Sequence, residues 1–308
     1  MTLHVAIVTD DAPGWHGSRL RRALGARNAR VQFVSLRACR IDLTRGCRGL
    51  SIPGFEKRVP DGVFVRGIPA GTLEQVVLRL DVLHALRELG VPVYNDARAI
   101  ERTVDKGMTS FLFGHAGVPT PPTCVTESPA RARAFLLRQT AAGHAVVVKP
   151  LFGSQGVGLR CLKPGSDIPD AAECNGVWYL QRYIETGAHD GDWHDWRVFV
   201  IAGVAVAAMV RRGATWVNNV AQGGRCEAVA LEPDLARLAV RACAAVGADH
   251  AGVDLVRDRD GRLLVLEVNG VPAWKGLQSV TRIDIAERLA EDFISRRVAR
   301  PTEAVASG

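Results

Sequence analysis

Two apolar runs near the C-terminus, Ala251-Gly252-Val253-Asp254 and Leu266-Glu267-Val268-Asn269-Gly270, flank an Asp260-Gly261 dipeptide. That dipeptide is a strong signal for a two-residue hairpin turn. Counting outward from it sets Asp254 directly opposite Glu267, and Asn269, two residues on, points to the same face. Opposed carboxylates repel across a ladder unless a cation lies between them. The neighbours Val253, Leu255, Leu264, Leu266 and Val268 are apolar, which argues against a freely solvated strand pair. A set of two carboxylates and an amide offers only oxygen and suits Mg²⁺ or Mn²⁺ rather than zinc. Asp254, Glu267 and Asn269 therefore read as a metal platform, against the plainer reading of an ion pair with a nearby arginine.

The 308 residues are 47% hydrophobic and carry a formal charge of +7. They have room for one large domain or two to three small ones with a sizeable core. The basic surplus fits an anionic small ligand such as a nucleotide as well as it fits nucleic acid. No Lys/Arg run interleaves with aromatics and no helix-turn-helix or RNA-binding motif occurs, so no nucleic-acid partner is expected. Seven cysteines, odd in number and without a CxxC pair, argue for a reducing compartment and against a zinc site. The chain opens on a strand pattern without a signal sequence, and its longest apolar stretch, Val198 to Val210, is too short to span a bilayer. A soluble, cytoplasmic protein with no membrane partner is expected; homo-oligomerisation stays open.

Hydrophobic periodicity divides the chain into three α/β units. Residues 1–95 alternate strands (His4 to Thr9, Val31 to Leu36, Gly62 to Arg66, Val91 to Tyr94) with helices from Ser18 to Gly25 and Leu73 to Leu89, the pattern of a small parallel sheet. Residues 96–184 hold a helix from Thr103 to Ala116, a second begun by Ser128-Pro129, and strands around a glycine loop. Residues 185–300 read as a larger antiparallel sheet with helices at Pro233 to Val246 and Ile283 to Arg297, followed by a small polar, disordered tail at 301–308.

The second unit carries Val146-Val147-Val148-Lys149-Pro150-Leu151-Phe152-Gly153-Ser154-Gln155-Gly156-Val157-Gly158. Successive glycines let backbone N–H groups turn toward one anion, and the lysine adds a point charge for a phosphate oxygen. The spacing is not that of a P-loop, and no helix follows. A glycine-rich hairpin lid between two strands fits better, although many glycine turns bind nothing. Lys106 is a weaker candidate of the same kind. Arg197, Arg211 and Arg212 lie near Asp195, and one of them could neutralise charge on a transferring phosphoryl group; for any single one, an ordinary surface arginine is the simpler reading. Asn218-Asn219, before Gly223-Gly224, could add oxygen ligands, and turn chemistry explains the same residues.

Taken in order, Lys106, the Lys-Pro before GSQGVG, YLQRYIE, DWRVFV, MVRR, WVNNVAQGG, AGVDLV and LEVNG resemble the ATP-grasp superfamily over about residues 4 to 297. Within it the chain is similar to the RimK-like carboxylate–amine ligases. The resemblance implies an α/β (α+β) ATP-grasp fold of three modules, with ATP between the central and C-terminal ones. Lys106 and Lys149 would contact ATP, with Asp195 nearby, and Gly153, Ser154, Gln155, Gly156 and Gly158 would form the lid. Gln181, Arg182, Tyr183 and Ile184 would form a hinge whose backbone reads adenine. Asp254, Glu267 and Asn269 would hold two Mg²⁺ (or Mn²⁺), with Arg211 and Asn219 at the γ-phosphate as catalytic residues. The implied chemistry joins a carboxylate and an amine through an acylphosphate, the added group being glutamate or another amino acid and the acceptor a small molecule or peptide. Arg182, Val217, Gln222 and the Gly270-to-Leu277 ending with Trp274 depart from the ribosomal-protein-modifying pattern. The ending looks more like ligases of one-carbon cofactor pathways (methanopterin or methanofuran type). Modification of a protein C-terminus, and a non-catalytic ATP-binding regulator, are the alternatives. Trp15, His16 and Trp274 faintly suggest an apolar or aromatic acceptor.

Overall fold

The computed structural model describes residues 2–12, 14–44, 46–153, 156–186, 193–217 and 223–298. The first unit contains β1 (Leu3–Val8), α1 (Trp15–Gly25), β2 (Ala29–Val34), β3 (Arg40–Ile41), β4 (Leu50–Ser51), β5 (Gly62–Val65), α2 (Leu73–Glu88) and β6 (Val93–Tyr94). Strands β2-β1-β5-β6 form an all-parallel sheet, as the alternation predicts. The helix expected from Ser18 begins at Trp15, because its N-cap is Gly14, which has no side-chain acceptor to announce the start. By contrast, α2 opens on a full capping box between Thr72 and Gln75. The two-residue strands β3 and β4 are too short to leave a periodic signal, and sequence reading misses them.

The second unit follows with α3 (Ala97–Val104), α4 (Lys106–His115), β7 (Thr123–Thr126), α5 (Pro129–Ala141), β8 (Val146–Lys149), β9 (Arg160–Leu162) and β10 (Trp178–Arg182). The single helix expected from Thr103 to Ala116 is two helices. Asp105 leaves the helical path and its carboxylate caps α4 by accepting from the Met108 N–H at 3.0 Å. That makes Lys106 the first residue of a helix. Strands β7-β10-β8-β9 form an antiparallel sheet, and the glycine loop joins β8 to β9 as a hairpin.

The third unit comprises β11 (Trp193–Ile201), β12 (Val204–Gly213), β13 (Arg225–Ala228), α6 (Pro233–Val246), β14 (His250–Arg257), β15 (Leu263–Asn269), α7 (Lys275–Gln278) and α8 (Ile285–Asp292), with a π-helical turn at Phe293–Val298. Its antiparallel sheet runs β13-β12-β11-β14-β15. Helix α6 lies where the sequence places it, burying Leu235, Leu238, Ala242 and Val246 on one face. Helix α8 returns to α1, so that Leu20, Phe64, Phe199, Trp274, Leu289 and Phe293 share one core between the first and third units. Trp274 is 0% exposed within it. It is therefore a core residue, not the acceptor wall suggested by the sequence. The tail at 301–308 lies outside the described residues.

The β14–β15 register holds the most consequential detail. Asp258 N–H donates to the Arg262 carbonyl (2.9 Å), leaving 259–261 as a three-residue loop with Gly261 at φ +83°. This replaces the expected two-residue turn and pairs Leu255 with Val265, Val256 with Leu264 and Arg257 with Leu263. A bulge then restores the count, and Asp254 faces Glu267 and Gly252 faces Asn269, as predicted. Without the bulge Asp254 would oppose Leu266, and Glu267 would turn to the other face. Asn95, 0% exposed, anchors the same hairpin. Its amide nitrogen donates to the His250 and Gly270 carbonyls (both 2.6 Å), and its oxygen accepts from Asp249 and His250 N–H groups. All four hydrogen-bonding positions of that side chain are used to tie the ends of β14 and β15 together.

Candidate active site

An open cleft of about 820 Å³, a volume that includes its solvent-filled mouth, lies between the second and third sheets. Its polar wall gathers Lys149, Asp195, Arg211, Asp254 and Glu267. Arg182, Tyr183 and Ile184 line another side, and Val147, Leu159, Val256 and Leu266 supply apolar surface. Trp193 and Trp216 also line it, each edge-on to Tyr183 at 6.3 and 6.0 Å between centroids. A mostly apolar slot with a few convergent charges is what a nucleotide requires. Sequence reading missed both tryptophans, since nothing in their local pattern separates them from ordinary strand aromatics.

The charges form a chain across adjacent strands. Asp254, 4% exposed, accepts from Arg197 Nε and Nη2 at 2.7 Å each, and from Arg211 Nη2 at 3.0 Å. Arg211, 2% exposed, also grips Asp195 through Nε (2.7 Å) and Nη2 (2.6 Å). Strand pairing dictates these partners: Arg197 faces Asp254 and Asp195 faces Arg211 across the ladders. Burial alone would push the Asp254 carboxyl up, but Arg197 and Arg211 outweigh it and hold it below the ordinary carboxylate range. Burial likewise opposes the Arg211 charge, yet Asp254 and Asp195 push its pKa up. The arginine reading of Asp254 and the metal reading thus describe different halves of the acid pair. Arg197 and Arg211 compensate Asp254, whereas burial and then Asp254 itself push the Glu267 carboxyl above its ordinary range, with Lys149, Lys106 and Arg197 offsetting only part. Arg212 pairs with Glu227 on the surface at 2.8 Å, the ordinary role expected of it.

Glu267 is the carboxylate of the pair that could hold a divalent cation: it faces another carboxylate in a low-dielectric wall, and the Asn269 amide could add a second oxygen. Among the described residues no three His, Cys, Asp or Glu side chains stand together in a way that could hold a metal; the third member of the proposed set is the Asn269 amide. Asn269 shares the face of Glu267, and its Nδ2 donates to the Gly252 carbonyl at 3.4 Å.

Lys149 ends β8 inside the cleft, its Nζ donating to Gln181 Oε1 at 2.7 Å. Gln181 is 2% exposed and points its amide at Lys149, Thr123 and Tyr179, so it orients the lysine. The Arg182 and Tyr183 N–H groups bond to the Pro122 and Ala145 carbonyls (2.8 and 2.9 Å), which moves any adenine reading by a backbone donor onward, to Ile184. Lys106 does not line the cleft; its Nζ donates to the Gly153 carbonyl at 2.7 Å, tying α4 to the start of the lid. Gly153, Gly156 and Gly158 sit in the β8–β9 loop at φ +150°, +73° and +76°. A Cβ at Gly158 would lie 2.9 Å from Pro150 Cγ, so glycine is required there. Ser154, Gln155, Asn219 and Gln222 lie outside the described residues.

Burial pulls the Lys149 ammonium down to about 8, with Glu267 resisting. In Mg²⁺-free buffer, ADP affinity should therefore fall as pH rises through about 8, while Lys149→Met binds weakly with a flat profile across that window. Titrations monitored by calorimetry would show this; parallel pH profiles for the two proteins would refute it.

Anchored positive charge, a paired-carboxylate hairpin and a glycine loop around an apolar slot are features of a site for a phosphorylated nucleotide. Comparison with known proteins agrees. Residues 103–293 match the RimK-like ATP-grasp domain and residues 3–100 the RimK PreATP-grasp domain. The tetrahydromethanopterin:alpha-L-glutamate ligase of Methanocaldococcus jannaschii is 37% identical over 224 residues, covering 70% of this chain and 74% of that protein. Its counterpart from Methanococcus maripaludis is 34% identical over 238 residues, covering 75% and 78%. Among solved structures, the ATP-grasp ligase PsnB with minimal precursor, Mg and ADP superposes with a TM-score of 0.71 at 21% identity, over 96% of this chain and 97% of that one. The chain belongs to the RimK-like ATP-grasp family. It is an ATP-dependent ligase forming C–N bonds.

Proposed function

We propose that this ligase adds L-glutamate to a carboxylate of a small-molecule acceptor of the reduced-pterin cofactor type, forming an amide. The cleft carries the catalytic half of the reading through one observation: a buried Asp254 gripped by Arg197 and Arg211, directly across the ladder from a Glu267 carboxyl that burial and Asp254 push above its ordinary range. The two glutamate ligases of 37% and 34% identity support the choice of substrates. No helix among the described residues is long and apolar enough to cross a membrane.

A carboxylate oxygen of the acceptor attacks the γ-phosphorus of ATP, the bond to the β–γ bridging oxygen breaks, and ADP leaves. The glutamate amine then attacks the acyl carbon of the resulting acylphosphate, inorganic phosphate departs with the C–O bonding pair, and the amine nitrogen gives up its proton. No protein nucleophile takes part. Glu267 and Asn269, with Asp254 opposite, would hold Mg²⁺, proposed as two ions, which would supply charge neutralisation and alignment of the phosphate oxygens. Lys149, brought down to about 8 by burial, is held in its charged form when phosphate arrives beside it. Three of the five Arg211 donors are committed to Asp195 and Asp254. That bracing fixes the guanidinium plane and leaves Nη1 for the transferring phosphoryl group. Asn219 is assigned beside it from the motif. The slot of Val147, Leu159, Val256 and Leu266 would exclude water from the acylphosphate.

The test is ADP release from ATP·Mg²⁺ across a panel of amino acids and reduced-pterin carboxylates. Release that requires both L-glutamate and one such acceptor supports the proposal. Well-folded protein that binds ATP but releases no ADP with any pair contradicts catalysis, and dependence on a protein C-terminus instead would assign a different acceptor.

A further inference from the structure

A second cavity, of about 560 Å³ with its open mouth, lies where β1 and β5 end in the first sheet. Crevices beyond the carboxyl ends of neighbouring parallel strands are the places where open α/β sheets take ligands. Thr9, Asp10 and Asp11 follow β1, Arg66 to Pro69 follow β5, and His16 and Gly17 of α1 close the third side. Arg66 is partly buried there. Among the described residues its guanidinium makes one hydrogen bond, from Nη1 to the Val271 carbonyl at 3.3 Å, and lies 5.1 Å from the Trp274 ring centroid. Burial pulls Arg66 down to about 10, and Asp11 resists.

A partly buried guanidinium lining a cavity and facing one carbonyl and an aromatic face still has donors to offer an anion. Two carboxylates share the lining with Arg66; Asp10 is already bonded to Arg37 at 3.0 Å and to the Ser35 hydroxyl at 2.6 Å, which leaves Asp11 as the competitor. His16 accepts from the Trp274 N–H through Nε2 at 3.1 Å. Burial, then Arg66 and Lys275, holds His16 down to about 4, so near neutral pH it is an uncharged ring with its proton on Nδ1. The first turn of α1 contains no acid. Asp11 is the one opposing charge that acts on Arg66, and it is exposed.

We propose that this cavity is a subsite for an anionic group of the acceptor substrate, a carboxylate or a phosphate, with Arg66 as its bidentate anchor. The assignment rests on the ligase reading above. It also follows the chain: Val271, which bonds Arg66, is two residues past Asn269, a separation of at most about 7 Å. One elongated acceptor could reach from this cavity to the metal residues. Arg66 would then be a specificity residue, deciding which acid is presented for phosphorylation.

Calorimetric titration of the full chain with glutarate and with inorganic phosphate, each in saturating ADP·Mg²⁺ to fill the cleft, tests the subsite. Wild type should bind at least one probe, and the tighter one names the anionic group. Arg66→Met should weaken that binding at least tenfold with ADP affinity unchanged, and Arg66→Lys should fall between. Asp11→Asn, a surface change that leaves folding intact, should tighten the probe several-fold by removing the competing carboxylate. Equal probe binding by wild type and Arg66→Met, or no tightening in Asp11→Asn, would overturn the subsite. Loss of ADP binding by wild type would instead overturn the ligase reading, so the two failures are distinguishable.

Discussion

Glu267→Gln should lower acceptor-dependent ADP release by about 10³-fold or more, while the protein stays folded and gains thermal stability in metal-free buffer. The kinetic effect follows because neutralisation of phosphate charge by metal contributes several kcal/mol, and each 1.36 kcal/mol is a factor of ten. The stability effect has the opposite origin. Burial, then Asp254, raises the Glu267 carboxyl above its ordinary 4.5, so the folded protein binds that proton more tightly than the unfolded chain does. At neutral pH the ionised carboxylate therefore costs stability. As pH falls the cost is relieved from the raised folded-state pKa downward, and relief is complete below 4.5. Glutamine removes the charge at every pH. The difference in Tm between Glu267→Gln and wild type should thus be largest near neutrality and close toward pH 4.5. Calorimetric scans at several pH values in chelator measure it; a constant difference, or a less stable variant at neutral pH, would show that Glu267 is already compensated by the protein.

Arg211→Met should do the reverse, destabilising the protein as well as inactivating it. Arg211 bridges Asp195 and Asp254 inside a sheet, with 2%, 12% and 6% of their side chains exposed. Removing one member of a buried ion pair leaves an uncompensated charge and costs about 3–5 kcal/mol. Here Arg197 still pairs with Asp254, which places the loss mainly at Asp195. Two consequences follow. Arg211→Lys retains the charge but cannot make three directed bonds to two carboxylates, and should recover only part of the stability. Pairing Arg211→Met with Asp195→Asn should cost much less than the sum of the single changes, because the stranded charge is gone. Urea denaturation of wild type and the four variants tests both; additivity within about 0.5 kcal/mol would mean that the bridge contributes little.

The fold was legible where local signals are strong. The parallel first sheet, the Ser128-Pro129 helix start, α6 and the lid hairpin all carry periodicity or capping cues in adjacent residues. Helix α3, the break at Asp105 and the return of α8 onto α1 were not legible, because they depend on a carboxylate choosing a backbone partner or on packing between distant segments. At the site, the pairing of Asp254 with Glu267 was readable by counting outward from Asp260-Gly261, yet it is reached through a longer turn and a bulge that cancel. Sequence counting sees their sum and not the parts. Which cations compensate Asp254 was not readable: Arg197 and Arg211 come from other strands, and only the sheet order brings them to it. Asn95 was missed for the same reason, since its four partners lie about 150 residues or more away.

The central claim is that Asp254 and Glu267 form the metal floor of an ATP site. Electron paramagnetic resonance of Mn²⁺ with ADP tests it most directly, comparing wild type with Glu267→Gln at equal nucleotide occupancy. The account predicts protein-bound Mn²⁺ signal in wild type and its loss, with at least tenfold weaker Mn²⁺ affinity, in Glu267→Gln. Equal Mn²⁺ binding by the two proteins would contradict it.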